Sequence, residues 1–402
     1  MTTVGNFISK GVRVTAAGAL VNFSLGIFYA WSVFANGLIK EFGWTKTEAM
    51  LPYTLELLVF SIAMIFGGRF QDRYGPRRGI IYSGIFTGLS LILCSLVASP
   101  LGVTLFFGVI FGSAAAFGYS AVTPAAIKWF PPEKRGSVTG FVLMSLGAAA
   151  LIWAPVINFL INRLGVLNTF FLAGILVLLI ITLSARAIEL PPVSEPPDRD
   201  EIFTAVIQET GWRETVRNPS FPILWVIIGL TSAVGTMFIA HMVQIAELSF
   251  NVPWGYMLVS LFALTNASGR MIGGALCDRI GYKGNINAAF ILMGMAMILF
   301  FSGIHWSLLV IAAAFLGFSY GSLYASFPNI VATLYGLKNF GRDYGLAFTA
   351  VGVIGSLGPL SAAILVEVTS SYRTVFIVGF LAVLAGLYLI SRLARKTSVE
   401  LT

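Results

Sequence analysis

The chain has 402 residues, of which 57% are hydrophobic and 10% are charged, and its formal net charge at pH 7 is +8. Water-soluble domains of this total length need more polar residues than this to cover their surface, so the composition excludes a soluble protein. The mean hydropathy of +0.88 indicates an integral membrane protein, with the lipid bilayer as a partner. The basic residues are not distributed as in nucleic-acid-binding proteins, and we expect no nucleic-acid partner.

Cysteine and histidine are rare in this chain. Cys94 and Cys277 lie far apart, in or at the end of apolar segments, which predicts neither a disulfide nor a metal site. The two histidines, His241 and His305, provide no cluster, and the chain has no evident pair of carboxylates or nucleophile with a base. We therefore expect neither an enzyme nor a cofactor. We also expect no cleavable signal peptide, since the first apolar segment is far too long for one.

Apolar stretches of about 20 residues recur along the chain, each long enough to cross a hydrocarbon core of about 30 Å. They predict an all-α membrane protein with spans at residues 14–39, 49–68, 79–98, 101–127, 136–161, 166–188, 221–245, 254–276, 285–303, 306–335, 343–366 and 373–391. Lysine and arginine concentrate in the loops on the side of the N-terminus. The positive-inside rule then places both termini in the cytoplasm. We expect the chain in the cell (inner) membrane.

One long polar segment, residues 191–220, separates the sixth span from the seventh. Its Pro-Pro-Val-Ser-Glu-Pro-Pro run cannot continue a helix, because proline lacks the N–H group and clashes with the preceding turn. Residues 198–217 have the pattern of a short amphipathic surface helix. We therefore predict an N-terminal six-helix half (residues 1–190), a cytoplasmic linker and a C-terminal six-helix half (residues 221–402).

The turns that follow the second and eighth spans carry the same motif. Both read Gly-x-x-x-Asp-Arg-x-Gly with a basic residue soon after, once from Gly68 and once from Gly274. Such duplication is typical of carriers that hold their substrate between two parallel repeats of six helices. An aspartate at a helix end beside arginine and glycine suits a charge lock between helices rather than a substrate site. We therefore assign to the gate Asp72, Arg73, Arg77, Asp278 and Arg279.

Three further stretches carry a specific resemblance. They are Tyr29-Ala-Trp-Ser-Val-Phe, Lys128-Trp-Phe-Pro-Pro-Glu-Lys-Arg-Gly-Ser-Val-Thr-Gly140 and Asn266-x-x-x-Arg270. Together with the doubled motif, they resemble the major facilitator superfamily, in the branch of monocarboxylate transporters and oxalate/formate antiporters. The resemblance runs from end to end and implies two pseudo-repeated halves that move a small monocarboxylate, such as lactate or pyruvate, with a proton. An anion exchanger of the oxalate/formate type is the alternative, whereas a channel would need a ring of identical residues.

Arg270 lies eight residues before Asp278, about 12 Å from the cytoplasmic end of its span. Its guanidinium stays charged there, at a cost of at least a few kcal/mol, and its fork matches a carboxylate bidentately. The alternative role is an ion pair with an acid of another helix. In the resembling family this arginine holds the substrate carboxylate. Asn266, one turn away on the same face, is expected to donate to the substrate or to bridge helices.

Further polar residues fall in the central zone of their spans. Phenols suit a small hydroxy or keto acid, since each offers an apolar ring and one hydrogen bond, although packing alone also explains each tyrosine. To the substrate site we assign, besides Arg270 and Asn266, the residues Asn22, Tyr29, Tyr119, Tyr320 and Tyr324.

Charged residues known from the resembling family are missing here. Mammalian monocarboxylate transporters have an aspartate at the place of Asn266, tied to proton coupling, and a lysine near the place of Val33. The oxalate antiporters have a lysine in the eleventh span, where residues 346–352 of this chain contain no cation. One buried positive charge implies one carboxylate, which favours a monocarboxylate over oxalate.

Three residues are candidates for proton coupling: Glu247, His241 and Glu56. Glu247 and His241 lie near the outer end of the seventh span, and imidazole titrates in the physiological range. Glu56 is embedded in the outer half of the second span, where burial disfavours the charged form of a carboxyl. Alternatively, the proton arrives with the substrate as a neutral acid. We expect a monomer whose partners are the small monocarboxylate anion and the proton.

Overall fold

The structure is a computed structural model that describes residues 2–192, 212–252, 254–303 and 305–399. Within these ranges it is helical and contains no β-strand. The described residues include eleven helical stretches that are long and apolar enough to cross a membrane. One of them, Gly255–Ser302, contains two helices that meet at Gly281, where the backbone leaves the helical conformation. The predicted all-α fold of twelve spans is confirmed.

We number the helices in chain order. In the first half of the chain they are α1 (Thr2–Leu25, a 3-10 turn Gly26–Ala30, and Trp31–Phe42), α2 (Lys46–Tyr74), α3 (Pro76–Ser95), α4 (Pro100–Val103, a π-helical stretch Thr104–Phe111, and Gly112–Ile127), α5 (Arg135–Leu164) and α6 (Val166–Ser184). In the second half they are α7 (Ser220–Phe250), α8 and α9 (the two parts of Gly255–Ser302), α10 (Trp306–Tyr335), α11 (Phe340–Ala350, a π-helical stretch Val351–Gly355, and Leu357–Thr369) and α12 (Arg373–Val399).

The predicted cytoplasmic linker is described only in part. Residues 193–211 lie outside the described ranges, and with them most of the amphipathic helix predicted at 198–217. The last residues of that segment form a short helix, Trp212–Arg217, directly before α7.

The last glycine of each motif copy ends one helix and allows the next to start. Gly75 has φ 84° and Gly281 has φ 72°, a left-handed conformation that other residues rarely adopt. Apart from the adjoining backbone, no atom lies within 4 Å of the place where a Cβ would stand on either glycine. These glycines are therefore required by the backbone conformation of the turn rather than by crowding.

By contacts, the chain forms two compact units. The first consists of the described residues of Met1–Pro132, Ser145–Thr210 and Val331–Leu346. The second consists of those of Glu133–Met144, Gly211–Ile330 and Ala347–Thr402. The first part of α5 thus packs with the second half of the chain, and the first part of α11 packs with the first half. The division of the sequence into halves at 190 and 221 stays a prediction.

Glycines allow the first part of α5 and the first part of α11 to approach their neighbouring helices closely. In the first unit, a Cβ on Gly68 would overlap the carbonyl of Gly341 at the start of α11. In the second unit, a Cβ on Gly136 would overlap the carbonyl of Gly274 in α8. The first glycine of each motif copy is therefore a site of backbone contact, the usual role of small residues between membrane helices.

Helices α8 and α10 also pack backbone to backbone, at the level of Arg270. A Cβ on Gly321 of α10 would overlap the carbonyl oxygen of Asn266 and would lie 2.9 Å from the backbone nitrogen of Arg270. A Cβ on Gly269 would overlap the carbonyl of Phe318. These contacts bring the tyrosine-bearing face of α10 against the helix that carries the buried arginine.

The replacement Gly321→Ala should lower the free energy of unfolding by about 1–3 kcal/mol, because the new methyl group has no space between α8 and α10. Thermal unfolding of the purified protein in detergent measures this effect. Gly79→Ala in α3 is the matched control, since the nearest atom to its Cβ would lie at an ordinary 3.5 Å. Equal unfolding temperatures for the two variants would contradict the tight α8–α10 contact.

Candidate functional site

Arg270 is buried inside the second unit, with 1% of its surface exposed. Its Nε donates a hydrogen bond to Oδ1 of Asn266, one turn earlier in α8, at 3.0 Å. Its Nη1 donates to the carbonyl oxygen of Leu143 in α5 at 3.3 Å. The guanidinium carbon lies 5.4 Å from the centre of the Tyr324 ring in α10. Residues of three helices therefore hold the guanidinium in place.

These contacts suit a guanidinium that exchanges one partner for an anion. The amide oxygen and the aromatic face stabilise the cation electrostatically, and both are uncharged. The bond to the Leu143 carbonyl is long, at 3.3 Å. A carboxylate in that position would form a shorter, charge-assisted and bidentate interaction.

The hydroxyl groups of α10 and α7 form a chain beside Arg270. The hydroxyl of Tyr320 donates to that of Tyr324 at 3.3 Å, and the Tyr324 hydroxyl lies 2.8 Å from Oγ of Ser232. Ser232 donates to the carbonyl oxygen of Ile228 at 2.8 Å. The structure thus brings together four of the predicted site residues in the second unit: Arg270, Asn266, Tyr320 and Tyr324.

The remaining predicted substrate residues belong to the first unit. Tyr119 is buried, with its hydroxyl 3.4 Å from that of Tyr344 and its ring edge-on to Phe60. Asn22 is fully buried in α1. Tyr29 lies in the 3-10 turn of α1 and is exposed. That these three residues share one site with Arg270 remains a prediction.

His241 is half-buried in α7 and has a partner for each ring nitrogen. Its Nε2 lies 3.1 Å from the carbonyl oxygen of Pro359, and its Nδ1 lies 3.1 Å from the hydroxyl of Tyr372. A carbonyl can only accept, so Nε2 carries a hydrogen and the neutral ring accepts from Tyr372 at Nδ1. Burial raises the pKa of Tyr372, which keeps its hydroxyl protonated. On protonation, Nδ1 would donate to the same phenol oxygen, so both charge states have partners.

The two carboxylic acids proposed for the proton differ in their surroundings. Glu247 is exposed on α7, and no hydrogen bond joins it to His241 in the described residues. Glu56 is buried in α2, with 1% of its surface exposed, against the backbone of Gly112 in α4. Its Oε2 has no hydrogen-bond partner in the described structure.

At one end of the first unit, Asp72 binds the N-terminus of α11. Its carboxylate accepts hydrogen bonds from the backbone N–H of Gly341 at 3.2 Å and of Arg342 at 2.9 Å. The side-chain amide of Gln71 also donates to it. Burial lowers the pKa of nearby Lys128, and the charge of Asp72 opposes that shift. Asp72 therefore caps α11, with a favourable contribution from the helix dipole.

Asp278 makes the equivalent contacts at the N-terminus of α5 in the second unit. Its two carboxylate oxygens accept from the backbone N–H groups of Gly136 and Ser137, both at 2.7 Å, and the hydroxyl of Ser137 donates to it as well. The predicted gate arginines are exposed: Arg73, Arg77 and Arg279. The aspartates, rather than these arginines, make the contacts between helices.

Several contact residues were missed by the sequence analysis. The carbonyl of Leu143 binds Arg270, yet a backbone oxygen leaves no trace in the sequence. Ser232 and Tyr344 lie on apolar helices and resemble ordinary packing residues. Asp343, fully buried and paired with Arg342 at 2.8 Å, was detectable as an acid in the first turn of α11. The described residues contain no group of His, Cys, Asp and Glu suited to a metal ion.

A family model matches most of the chain. The model of the Major Facilitator Superfamily matches residues 16–304 and, in a second match, residues 243–401. The chain is 25% identical over 390 residues to the oxalate:formate antiporter of Oxalobacter formigenes, covering 94% of this chain and 91% of that protein. It is 27% identical over 350 residues to the uncharacterized MFS-type transporter YhjX of Escherichia coli (strain K12), with 86% and 85% covered. It is 24% identical over 370 residues to monocarboxylate transporter 13 of Rattus norvegicus, with 90% and 83% covered.

Solved structures show the same fold. The transporter FucP in the outward conformation aligns with a TM-score of 0.73 and 14% identity over 96% of this chain and 99% of that chain. The human organic anion transporter MFSD10 aligns with a TM-score of 0.72 and 14% identity over 94% and 99%. The predictions of a transporter family and of a protein that is not an enzyme are confirmed. The chain belongs to the major facilitator superfamily of multi-pass membrane transporters.

Proposed function

We propose that this chain is a secondary active transporter that moves a small monocarboxylate, of the lactate and pyruvate class, together with a proton by alternating access. The single observation that supports this function best is the buried guanidinium of Arg270, held by neutral oxygens and an aromatic face. Such a group binds a carboxylate as a bidentate, charge-assisted partner.

A monocarboxylate fits these surroundings better than oxalate does. Residue 351, in the stretch where the resembling oxalate antiporters have a lysine, is a buried valine. A second carboxylate near Arg270 would thus lack a cation from this stretch, and an uncompensated charge in an apolar interior is costly. The similarity to an oxalate:formate antiporter keeps anion exchange as the second candidate function.

Proton coupling is best supported at His241. The hydroxyl of Tyr372 and the carbonyl of Pro359 can bond to the ring of His241 in both its neutral and its charged form. Glu247 is open to the proton source because it is exposed, and Glu56 is the third candidate because it is buried without a partner for Oε2. Symport of one anion with one proton is electroneutral, so a pH gradient alone would drive accumulation.

The remaining features of the proposed carrier follow from the charge pattern and the duplicated motif. Both termini face the cytoplasm in the inner membrane, following the bias of Lys and Arg among the loops. The carrier acts as a monomer, with the caps made by Asp72 and Asp278 as parts of the gate. These caps consist of hydrogen bonds to helix ends, which can form and break during a transport cycle.

The replacement Arg270→Lys should reduce lactate uptake into proteoliposomes at least about tenfold, because lysine keeps the charge but loses the bidentate fork. Arg163→Lys, an exposed position on α5, is the matched control and should transport normally. Uptake by Arg270→Lys near the wild-type rate, with the protein correctly folded, would show that this residue does not hold the carboxylate.

Oxalate should compete for lactate uptake about a hundredfold more weakly than propionate does, because its second charge would be buried without a cation. Competition against labelled lactate at fixed pH, kept high enough to ionise both carboxyls of oxalate, measures the ratio. If oxalate competes as well as propionate, the chain is an exchanger of the oxalate/formate type.

The replacement His241→Gln should abolish uptake driven by a pH gradient but preserve counterflow exchange of lactate, which needs no net proton movement. Glu247→Gln and Glu56→Gln are to be measured in the same assay as the other two candidate carriers. If all three variants keep full gradient-driven uptake, no candidate side chain carries the proton, and it travels with the substrate as the neutral acid.

A further inference from the structure

We propose that Tyr320 accepts a hydrogen bond from the 2-hydroxyl group of a bound acid, so that the site binds 2-hydroxy acids more tightly than 2-keto acids. This preference rests on the monocarboxylate function proposed above and adds to it the residue that distinguishes the substituent on the second carbon.

The direction in which the hydroxyls donate follows from the last of them, Ser232. The carbonyl oxygen of Ile228 can only accept, so the one hydrogen of the Ser232 hydroxyl is committed to it at 2.8 Å. Since the hydrogen of Ser232 goes to Ile228, we assign the Tyr324 hydroxyl, 2.8 Å from Ser232, as the donor to Oγ. With the hydrogen of Tyr324 committed in turn, Tyr320 must donate to Tyr324, at 3.3 Å. Three successive hydroxyls therefore donate in the same direction, away from the Tyr320 end.

This direction decides what the first member of the chain presents to a ligand. A phenol has one hydrogen and two oxygen lone pairs. Because the hydrogen of Tyr320 points along the chain to Tyr324, its oxygen acts towards other groups as an acceptor. A hydroxyl group on the substrate can donate to it. A keto oxygen cannot, and it would face another acceptor unless the chain reversed.

Tyr320 adjoins the tyrosine ring that contacts Arg270. The guanidinium carbon of Arg270 is 5.4 Å from the centre of the Tyr324 ring, and the rings of Tyr324 and Tyr320 are 4.8 Å apart. In the proposed complex, the second carbon of an acid whose carboxylate binds Arg270 lies beside this pair of phenols. Opposite Tyr320 on α7 stands Gly235, where a Cβ would overlap the ring, so the ring has no room to shift towards α7.

Binding of L-lactate, pyruvate and propionate to the purified full-length protein in lipid nanodiscs tests the preference. The wild type should bind lactate about three- to tenfold more tightly than pyruvate, the range of one neutral hydrogen bond. Tyr320→Phe should weaken lactate by about that factor and leave propionate unchanged, because propionate has no oxygen on its second carbon.

A second variant acts on the direction of the chain instead of on its first member. In Ser232→Ala the Tyr324 hydroxyl loses Ser232 as an acceptor and can donate to Tyr320, whose hydrogen is then available to a keto oxygen. Pyruvate should therefore bind more tightly to Ser232→Ala than to the wild type. Thr236→Val is the matched control. The Thr236 hydroxyl on α7 bonds to the carbonyls of Ser232 and Gly355 and is not a member of the hydroxyl chain, so this variant should leave the ratio of lactate to pyruvate binding unchanged.

Thermal unfolding of every variant accompanies these measurements, and only folded variants are compared. A wild-type ratio near one, or a ratio that Tyr320→Phe does not change, overturns the role of Tyr320 while leaving the monocarboxylate function intact. Unchanged pyruvate binding in folded Ser232→Ala overturns the donor direction inferred for the hydroxyl chain. Absence of binding of all three acids to the wild type overturns the proposed function and this preference together.

Discussion

A permanent positive charge buried among membrane helices is the constraint on which much of the second unit depends. Arginine cannot deprotonate in the interior of a protein, so its burial must be offset by oxygen atoms and aromatic faces. At Arg270 these come from α5, α8 and α10: the carbonyl of Leu143, the amide of Asn266 and the ring of Tyr324. The glycine at position 321 is what allows α10 to come near enough to α8 for this.

The helix caps concern buried negative charges rather than a buried cation. Asp72 and Asp278 each carry a negative charge into a helix interface, and each is stabilised by two backbone N–H groups at the start of another helix. An aspartate at a helix N-terminus gains at most about 2 kcal/mol from the dipole, so such a cap is strong enough to favour one arrangement and weak enough to release it. The two backbone donors are common to both copies, although the residue after the glycine is serine in one copy, where its hydroxyl donates as well, and arginine in the other.

The sequence predicted the helices well because a bilayer imposes a minimum length of apolar residues on each span. It also identified the doubled motif and the pair of Arg270 with Asn266, which follow from short-range spacing. It could not reveal the acceptor at Leu143, which is a backbone atom, or the chain from Tyr320 to Ser232, which joins helices far apart in sequence. It also placed Glu56 within a span and Glu247 near the end of one, and in the structure Glu56 is buried and Glu247 is exposed.

The duplicated motif allows the position of Arg270 to be compared with its counterpart in the first half of the chain. Met64 precedes Asp72 by the same eight residues that separate Arg270 from Asp278. The carbonyl of Met64 lies 2.5 Å from the place of a Cβ on Gly345, and that of Arg270 lies 2.5 Å from the place of a Cβ on Gly140. The two positions are therefore equivalent in packing but not in charge.

Backbone packing and capping repeat in both copies because they are needed for the helices to meet, whichever ligand is carried. A cation in both copies would double the cost of burying charge in the membrane. Methionine at one position and arginine at the other leave one cation in this pair of positions, which agrees with the single carboxylate of the proposed substrate.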